Sequence, residues 1–200
     1  MPQMVDKSAF EVGKNLANTP GKVVYRNDLM ELIQYEANTD QVHQTPVLIT
    51  PPWINKFYIL DLNEKKSFVR NLVNNGFTVF MISWKNPTTE LRNTSLDDYM
   101  LMGPVEGMRV VQEITGTENI HAVGYCIGGS LLATTMGWLN GPQKKVKNLF
   151  TSFTLLTTLV DFSKPGDLGL FVDEDSMKFT FPSKQVVIRV FISSFFWLMI

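Results

Sequence analysis

The spacing of hydrophobic residues changes near Thr45. Before it, apolar residues (Phe10, Val12, Leu16, Val23, Val24, Tyr25, Leu29, Leu32, Ile33, Tyr35) are sparse in a polar background. Pro20-Gly21 marks a turn, and Leu29 to Tyr35 reads as a short helical or extended stretch packing on the core. From Thr45 onward, short apolar runs alternate with segments of helical period. Pro46 to Thr50 is an apolar run stopped by Pro51-Pro52, which suits a buried strand. Asn63 is the candidate cap of a helix carrying Phe68, Val69, Leu72 and Val73 at helical spacing, with Gly76 just past its end. Phe77 to Trp84 is a continuous β-rich run, as expected of a strand covered on both faces. Ser95, with Asp98 three residues later, resembles a capping box. The helix it opens carries Leu101, Val105, Met108, Val111 and Ile114, and Pro104 should kink or divide it. Asn119 to Tyr125 reads as the next strand, and Gly128 to Asn140 as the next helix, closed by Gly141-Pro142. Leu149 to Val160 reads as a further strand. This alternation predicts a parallel sheet with helices on both faces, an α/β fold in the doubly wound sense.

Composition narrows the function classes. A chain of 200 residues with 44% hydrophobic and 18% charged positions is long and apolar enough for a real core. Eighteen basic and 19 acidic residues leave a net charge of -1, which excludes a general pull toward nucleic acid. A phosphate-bearing ligand must therefore be held by local basic groups. Met1 to Phe10 lacks the basic-then-apolar pattern of a secretory signal. Val186 to Ile200 is apolar apart from Arg189 and two serines, but a membrane span needs about 20 such residues. A clipped span, a buried element and an aberrant tail are all open there, with the tail favoured and no firm membrane insertion expected. The single cysteine rules out an internal disulfide and a thiolate zinc site, so no metal is predicted. A lone cysteine is ordinarily a small buried hydrophobe, so its surroundings must decide its role.

Those surroundings are Gly124-Tyr125-Cys126-Ile127-Gly128-Gly129, between a predicted strand and a predicted helix. This is the G-x-nucleophile-x-G pattern of a nucleophile elbow, with Cys in the place of Ser. A turn this tight leaves no room for a Cβ at positions 124 and 128. The nucleophile itself is held in a strained conformation at a helix N-terminus, which favours the negative charge of a thiolate. The Ile127 N–H then points to where an oxyanion would form. A second donor should come from the loop after an earlier strand, here Pro51 to Lys56, stiffened by its two prolines. The residues alone leave that loop close to even between donor and ordinary strand exit.

Five segments carry a resemblance beyond the elbow: Phe10 to Tyr35, Thr50 to Leu62 (TPPWINKFYILDL), Phe80 to Pro87 (FMISWKNP), Gly124 to Gly129 and Ser152 to Phe162 (SFTLLTTLVDF). In this order they resemble the poly(3-hydroxyalkanoate) synthases, over roughly residues 10–177. The resemblance implies an α/β-hydrolase fold, incomplete here, with the C-terminal strands and lid missing. It divides the chain into a lead segment (1–40), a partial catalytic core (41–177) and a divergent apolar tail (178–200). It further implies an acyltransferase that polymerises (R)-3-hydroxyacyl-CoA into a polyester and releases coenzyme A. The CoA thioester is substrate, and no cofactor is implied. Cys126 would be the nucleophile, with the backbone N–H groups of Ile127 and Ile54 as oxyanion donors. Implied partners are the growing polyester chain and a homodimer mate or accessory subunit, at the surface of cytoplasmic storage granules. Cys suits this task because attack on a thioester gives another thioester, so the acyl group stays activated for a hydroxyl.

The family's base is a His well over a hundred residues after the nucleophile, with its Asp also downstream, and neither falls within these 200 residues. His43 and His121 both precede the elbow. His121 would lie about 17 Å from Cys126 along an extended strand. Asp161, Asp167, Asp173 and Asp175 do not take the acid role, since Asp161 sits in the SFTLLTTLVDF segment. The expectation is a truncated chain without measurable polymerase activity of its own. Two alternatives stand beside it. One is a thioesterase or lipase-like hydrolase, disfavoured by Cys at the elbow. The other is a non-enzymatic fragment that binds a synthase or a granule.

Overall fold

A computed structural model describes residues 9–142, 146–161 and 163. The chain divides into two compact units, Met1–Thr158 and Leu159–Ile200. In the second, Asp161 accepts hydrogen bonds from the Ser163 N–H and hydroxyl at 3.0 and 2.6 Å. Those bonds hold its carboxyl below the usual aspartate range. Asp167, Asp173, Asp175 and the apolar run Val186 to Ile200 lie outside the described residues.

The first unit is built on a six-stranded sheet of β1 (Gly21–Arg26), β2 (Met30–Tyr35), β3 (Val47–Thr50), β6 (Val79–Trp84), β7 (Ile120–Tyr125) and β8 (Phe150–Leu156). Their order across the sheet is β1-β2-β6-β3-β7-β8. A separate hairpin pairs β4 (Asp61–Asn63) with β5 (Lys66–Ser67). Strand β2 pairs antiparallel with both β1 and β6, while β6, β3, β7 and β8 pair parallel to one another. The helices are α1 (Phe68–Asn74), α2 (Leu96–Met100), α3 (Glu106–Thr115) and α4 (Ile127–Leu139).

Side chains alternate along the central strands, so consecutive residues enter different cores. On one face Val47, Ile49, Val79, Met81 and Val123 pack with Val69 and Val73 of α1. On the other, Leu48, Phe80, Ile82 and Ala122 pack with residues of α2, α3 and α4 such as Met100, Val111 and Leu132. This is the α/β-hydrolase fold: a mostly parallel sheet, covered on both faces, with a strand–turn–helix elbow after a central strand.

Two local readings change in the structure and two hold. Residues 21–35, expected as part of a lead segment, form two strands of the main sheet. Burial alternates over the first four residues of β2, with Met30 and Leu32 buried and Glu31 and Ile33 more open, and the alternation breaks at Gln34 and the buried Tyr35. By contrast β1 is an edge strand, exposed along almost its whole length, so no burial pattern marks it. Asn63 caps no helix. Its side chain accepts from the Lys65 and Lys66 N–H groups, closing the β4–β5 turn. Ser67 caps α1 instead, accepting from the Arg70 N–H at 2.8 Å. The Ser95 capping box is present as expected. Pro104 does divide its helix, through a π-helical turn at Leu101–Val105 between α2 and α3.

The β4 hairpin ties the chain's early segment to the core. Asp61 is fully buried and accepts from the Thr19 hydroxyl at 2.6 Å and the Thr19 N–H at 3.3 Å. Burial, and the nearby Asp61 charge, push the Tyr35 phenol well up. No helix among the described residues is long and apolar enough to cross a membrane.

Candidate active site

The strand order reverses at β3. The chain leaves β3 toward β6 on one side, whereas β7, on the other side of β3, leads on to β8. Exits after β3 and β7 therefore diverge to opposite faces and open a crevice at their C-terminal ends, where open α/β sheets bind ligands. Thr50 ends β3 in register with Gly124 of β7. The two loops that the sequence nominates, 51–56 and 124–129, thus leave the same edge from adjacent strands.

Cys126 sits between β7 and α4 with φ 54° and ψ -129°. It is exposed, unlike the small buried hydrophobe that a lone cysteine ordinarily is. A positive φ in a non-glycine residue costs about 1–3 kcal/mol and persists only where the surroundings over-determine it. Here they do. The Cys126 N–H donates to the Leu156 carbonyl at 2.9 Å, and its own carbonyl accepts from Gly129 N–H at 2.9 Å and Ser130 N–H at 3.3 Å. The Thr158 hydroxyl, which donates to the Leu156 carbonyl at 3.0 Å, also lies 3.3 Å from the Cys126 carbonyl. The backbone is tied to β8 on one side and to the first turn of α4 on the other.

The neighbouring glycines are required for space. A Cβ on Gly124 would strike the backbone of Gly129, with its N at 3.1 Å and Leu132 Cδ2 at 3.2 Å. A Cβ on Gly128 would strike Thr50 O and lie 2.6 Å from both the C and O of Pro51. On Gly129 it would strike the Thr158 hydroxyl. Gly128 thus lets the N-terminus of α4 rest on the exit of β3, bringing Ile127 and the Pro51–Lys56 loop, with Ile54, to one edge.

Neither histidine comes to this edge. His121 Nδ1 lies 2.7 Å from the Ser152 hydroxyl, on neighbouring strands. The His43 ring packs on Phe77 at 4.6 Å, and its Nε2 meets the Asn75 carbonyl at 3.1 Å. Among the described residues no group of three His, Cys, Asp or Glu side chains is arranged to hold a metal ion.

The profile described as the N-terminus of poly-beta-hydroxybutyrate polymerase (PhaC) matches residues 1–72. Over 177 residues the chain is 47% identical to a poly(3-hydroxyalkanoate) polymerase of Methylorubrum extorquens, covering 88% of this chain and 29% of that protein. The chain matches part of the poly(3-hydroxyalkanoate) synthase family.

Over 169 residues the chain is also 43% identical to the poly(3-hydroxyalkanoate) polymerase subunit PhaC of Cupriavidus necator, covering 84% of this chain and 28% of that protein. It spans less than a third of the length of either relative. Among solved structures, a sugar hydrolase from Lactococcus lactis aligns with 79% of this chain and 62% of its own, at 13% identity and a TM-score of 0.48. The family's N-terminal profile runs through β1 and β2 into α1, so it includes part of the sheet.

Three features of this edge were not read from the sequence. Thr158 braces the elbow from the SFTLLTTLVDF segment. The Thr50 hydroxyl is buried at the end of β3 and has no hydrogen-bond partner among the described residues. Trp84, in the FMISWKNP segment, donates from its indole N–H to the Pro51 carbonyl at 2.7 Å, and its ring lies 5.2 Å from that of Tyr99. Periodicity places Trp84 in a strand, but the hydrogen bond depends on which strand lies beside β3.

Proposed function

We propose that this chain supplies the nucleophile and the oxyanion-binding half of an acyltransferase that polymerises (R)-3-hydroxyacyl-CoA, with Cys126 as the nucleophile. The observation that carries this reading is the conformation of Cys126: an exposed thiol, held at positive φ on the strand–helix elbow at the sheet's ligand-binding edge. The similarity to poly(3-hydroxyalkanoate) polymerases supports the product class, a polyester of hydroxyacyl units.

In this reading the Cys126 thiolate attacks the thioester carbonyl, and the developing oxyanion is met by the Ile127 N–H and the Ile54 N–H. The tetrahedral intermediate collapses, the bond to the CoA sulfur breaks, and CoA leaves as a thiol after taking up a proton. The acyl group remains on Cys126 as a thioester. A hydroxyl of the polyester chain or of a second substrate then attacks that thioester. An ester bond forms, the Cys126–acyl bond breaks, and the thiol is restored. The proton relay for both steps, the polyester partner, a dimer mate or accessory subunit and the granule surface belong to the whole synthase. With both histidines held elsewhere, the chain alone carries out the first step and stalls.

The test is incubation with (R)-3-hydroxybutyryl-CoA, followed by intact-protein mass spectrometry and measurement of released CoA thiol. Cys126 should be acylated faster than a small free thiol, CoA release should stop near one equivalent, and Cys126→Ala should show neither. Catalytic accumulation of free 3-hydroxybutyrate would instead identify a hydrolase. Acylation no faster than that of the free thiol would remove the oxyanion-hole reading altogether.

A further inference from the structure

We propose that Trp84 is a positioning residue: it holds the Pro51–Lys56 loop, and with it the Ile54 N–H, in register with the Cys126 elbow. This rests on the functional reading above and goes further, naming what keeps the second oxyanion donor in place.

A loop that opens on two prolines has an unusual weakness. Neither Pro51 nor Pro52 has an N–H, so hydrogen bonds fix the backbone of these two residues only through their carbonyls. The Pro51 carbonyl is the one gripped. Trp84 Nε1, a group that can only donate, reaches it at 2.7 Å in a buried setting. The same carbonyl lies against Gly128 of the elbow, so closely that a Cβ there would stand 2.6 Å from its oxygen. One peptide group is thus clamped between an indole on β6 and the first turn of α4. It sets the loop's height relative to the helix that carries Ile127.

Trp84 is itself immobilised. Gly103, in the π-helical turn, leaves room for the indole, since a Cβ there would meet Cζ3 at 3.0 Å. The Tyr99 ring packs 5.2 Å away, and Trp53 meets Trp84 edge-on at 6.2 Å with an interplanar angle of 86°. Trp53 also packs on Tyr99 at 4.8 Å. Trp53 directly precedes Ile54, so the residue whose carbonyl shares the Ile54 peptide is anchored in the same aromatic cluster. The loop is therefore held twice, at Pro51 by a hydrogen bond and at Trp53 by ring packing, and Trp84 takes part in both. The division of the α2–α3 helix at Pro104 acquires a purpose, because Gly103 in that turn is what admits the indole.

Two reactions of the same thiol separate positioning from simple structural support. Acyl transfer from (R)-3-hydroxybutyryl-CoA builds an oxyanion, whereas alkylation by iodoacetamide displaces iodide and builds none. The variants are Trp84→Phe and an isosteric replacement of Trp84 by β-(3-benzothienyl)alanine, which keeps the ring shape and lacks the N–H. Cys126 acylation should slow by about tenfold to a hundredfold in both, the size of loss that follows small misplacement of a reacting group. Alkylation should keep its wild-type rate. Unchanged acylation in the folded isostere overturns the proposal, and so does an equal slowing of both reactions. Wild-type acylation no faster than that of a free thiol sinks the functional reading, and the positioning role with it.

Discussion

Helix α4 contains two glycines whose replacement by alanine should act with opposite sign. Gly128 lies in its first turn, buried against the exit of β3, and Gly137 lies in its last turn, exposed, with nothing within 4 Å of an added Cβ. Each gains up to about 1 kcal/mol from the better helix propensity and lower unfolded-state entropy of alanine. At Gly137 nothing opposes that gain, so Gly137→Ala should stabilise by about 0.5–1 kcal/mol. At Gly128 the new methyl meets Thr50 O and the Pro51 C and O, the latter two at 2.6 Å, and all three are backbone atoms that no rotamer change can move aside. Overpacking of this kind costs about 1–3 kcal/mol, and a backbone-only clash belongs at the upper end. The net loss should be about 2 kcal/mol, which separates the two variants by about 3 kcal/mol. For a chain of this size that is about 6–12 °C in melting temperature. Thermal and urea unfolding followed by circular dichroism would measure it. A Gly128→Ala protein as stable as wild type would refute the close approach of α4 to β3, and the shared edge of the two loops with it.

Cys126 offers a second contrast. Both Cys126→Gly and Cys126→Ala should lose acylation, but only glycine accepts φ 54° without strain, so the glycine variant should be the more stable by about 1 kcal/mol in urea titration. A more stable alanine variant would show that the elbow relaxes when the thiol is removed. A third prediction concerns pH. Hydrogen bonds from the Ser95 N–H and hydroxyl hold Asp98 below its ordinary value of 3.8. A folded-state value below the unfolded one gives stability that is fully present above pH 3.8 and lost as pH falls through the folded value. The stability gap between wild type and Asp98→Asn should therefore be flat at neutral pH and close below pH 3.8. A gap that persists unchanged in that acidic window would exclude the capping box as its source.

Much of this fold and part of its candidate site were legible in the order of residues. Runs such as Phe77 to Trp84 are too apolar to be anything but buried, and Ser95 with Asp98 starts a helix by contacts within one turn. The glycines at 124 and 128 announce a turn with no room for side chains. These features depend on neighbours a few residues apart, so the chain alone determines them. What lies across the sheet does not depend on such neighbours. Strand β1 is an exposed edge whose place comes from pairing with β2, and Asn63 or Ser67 could each cap a helix until the β4 hairpin claims Asn63. Gly128 is small because the carbonyl of Pro51, 77 positions earlier, presses against it. Trp84 matters to the elbow only because β6 lies beside β3, and the strand order that makes them neighbours is a property of the tertiary structure.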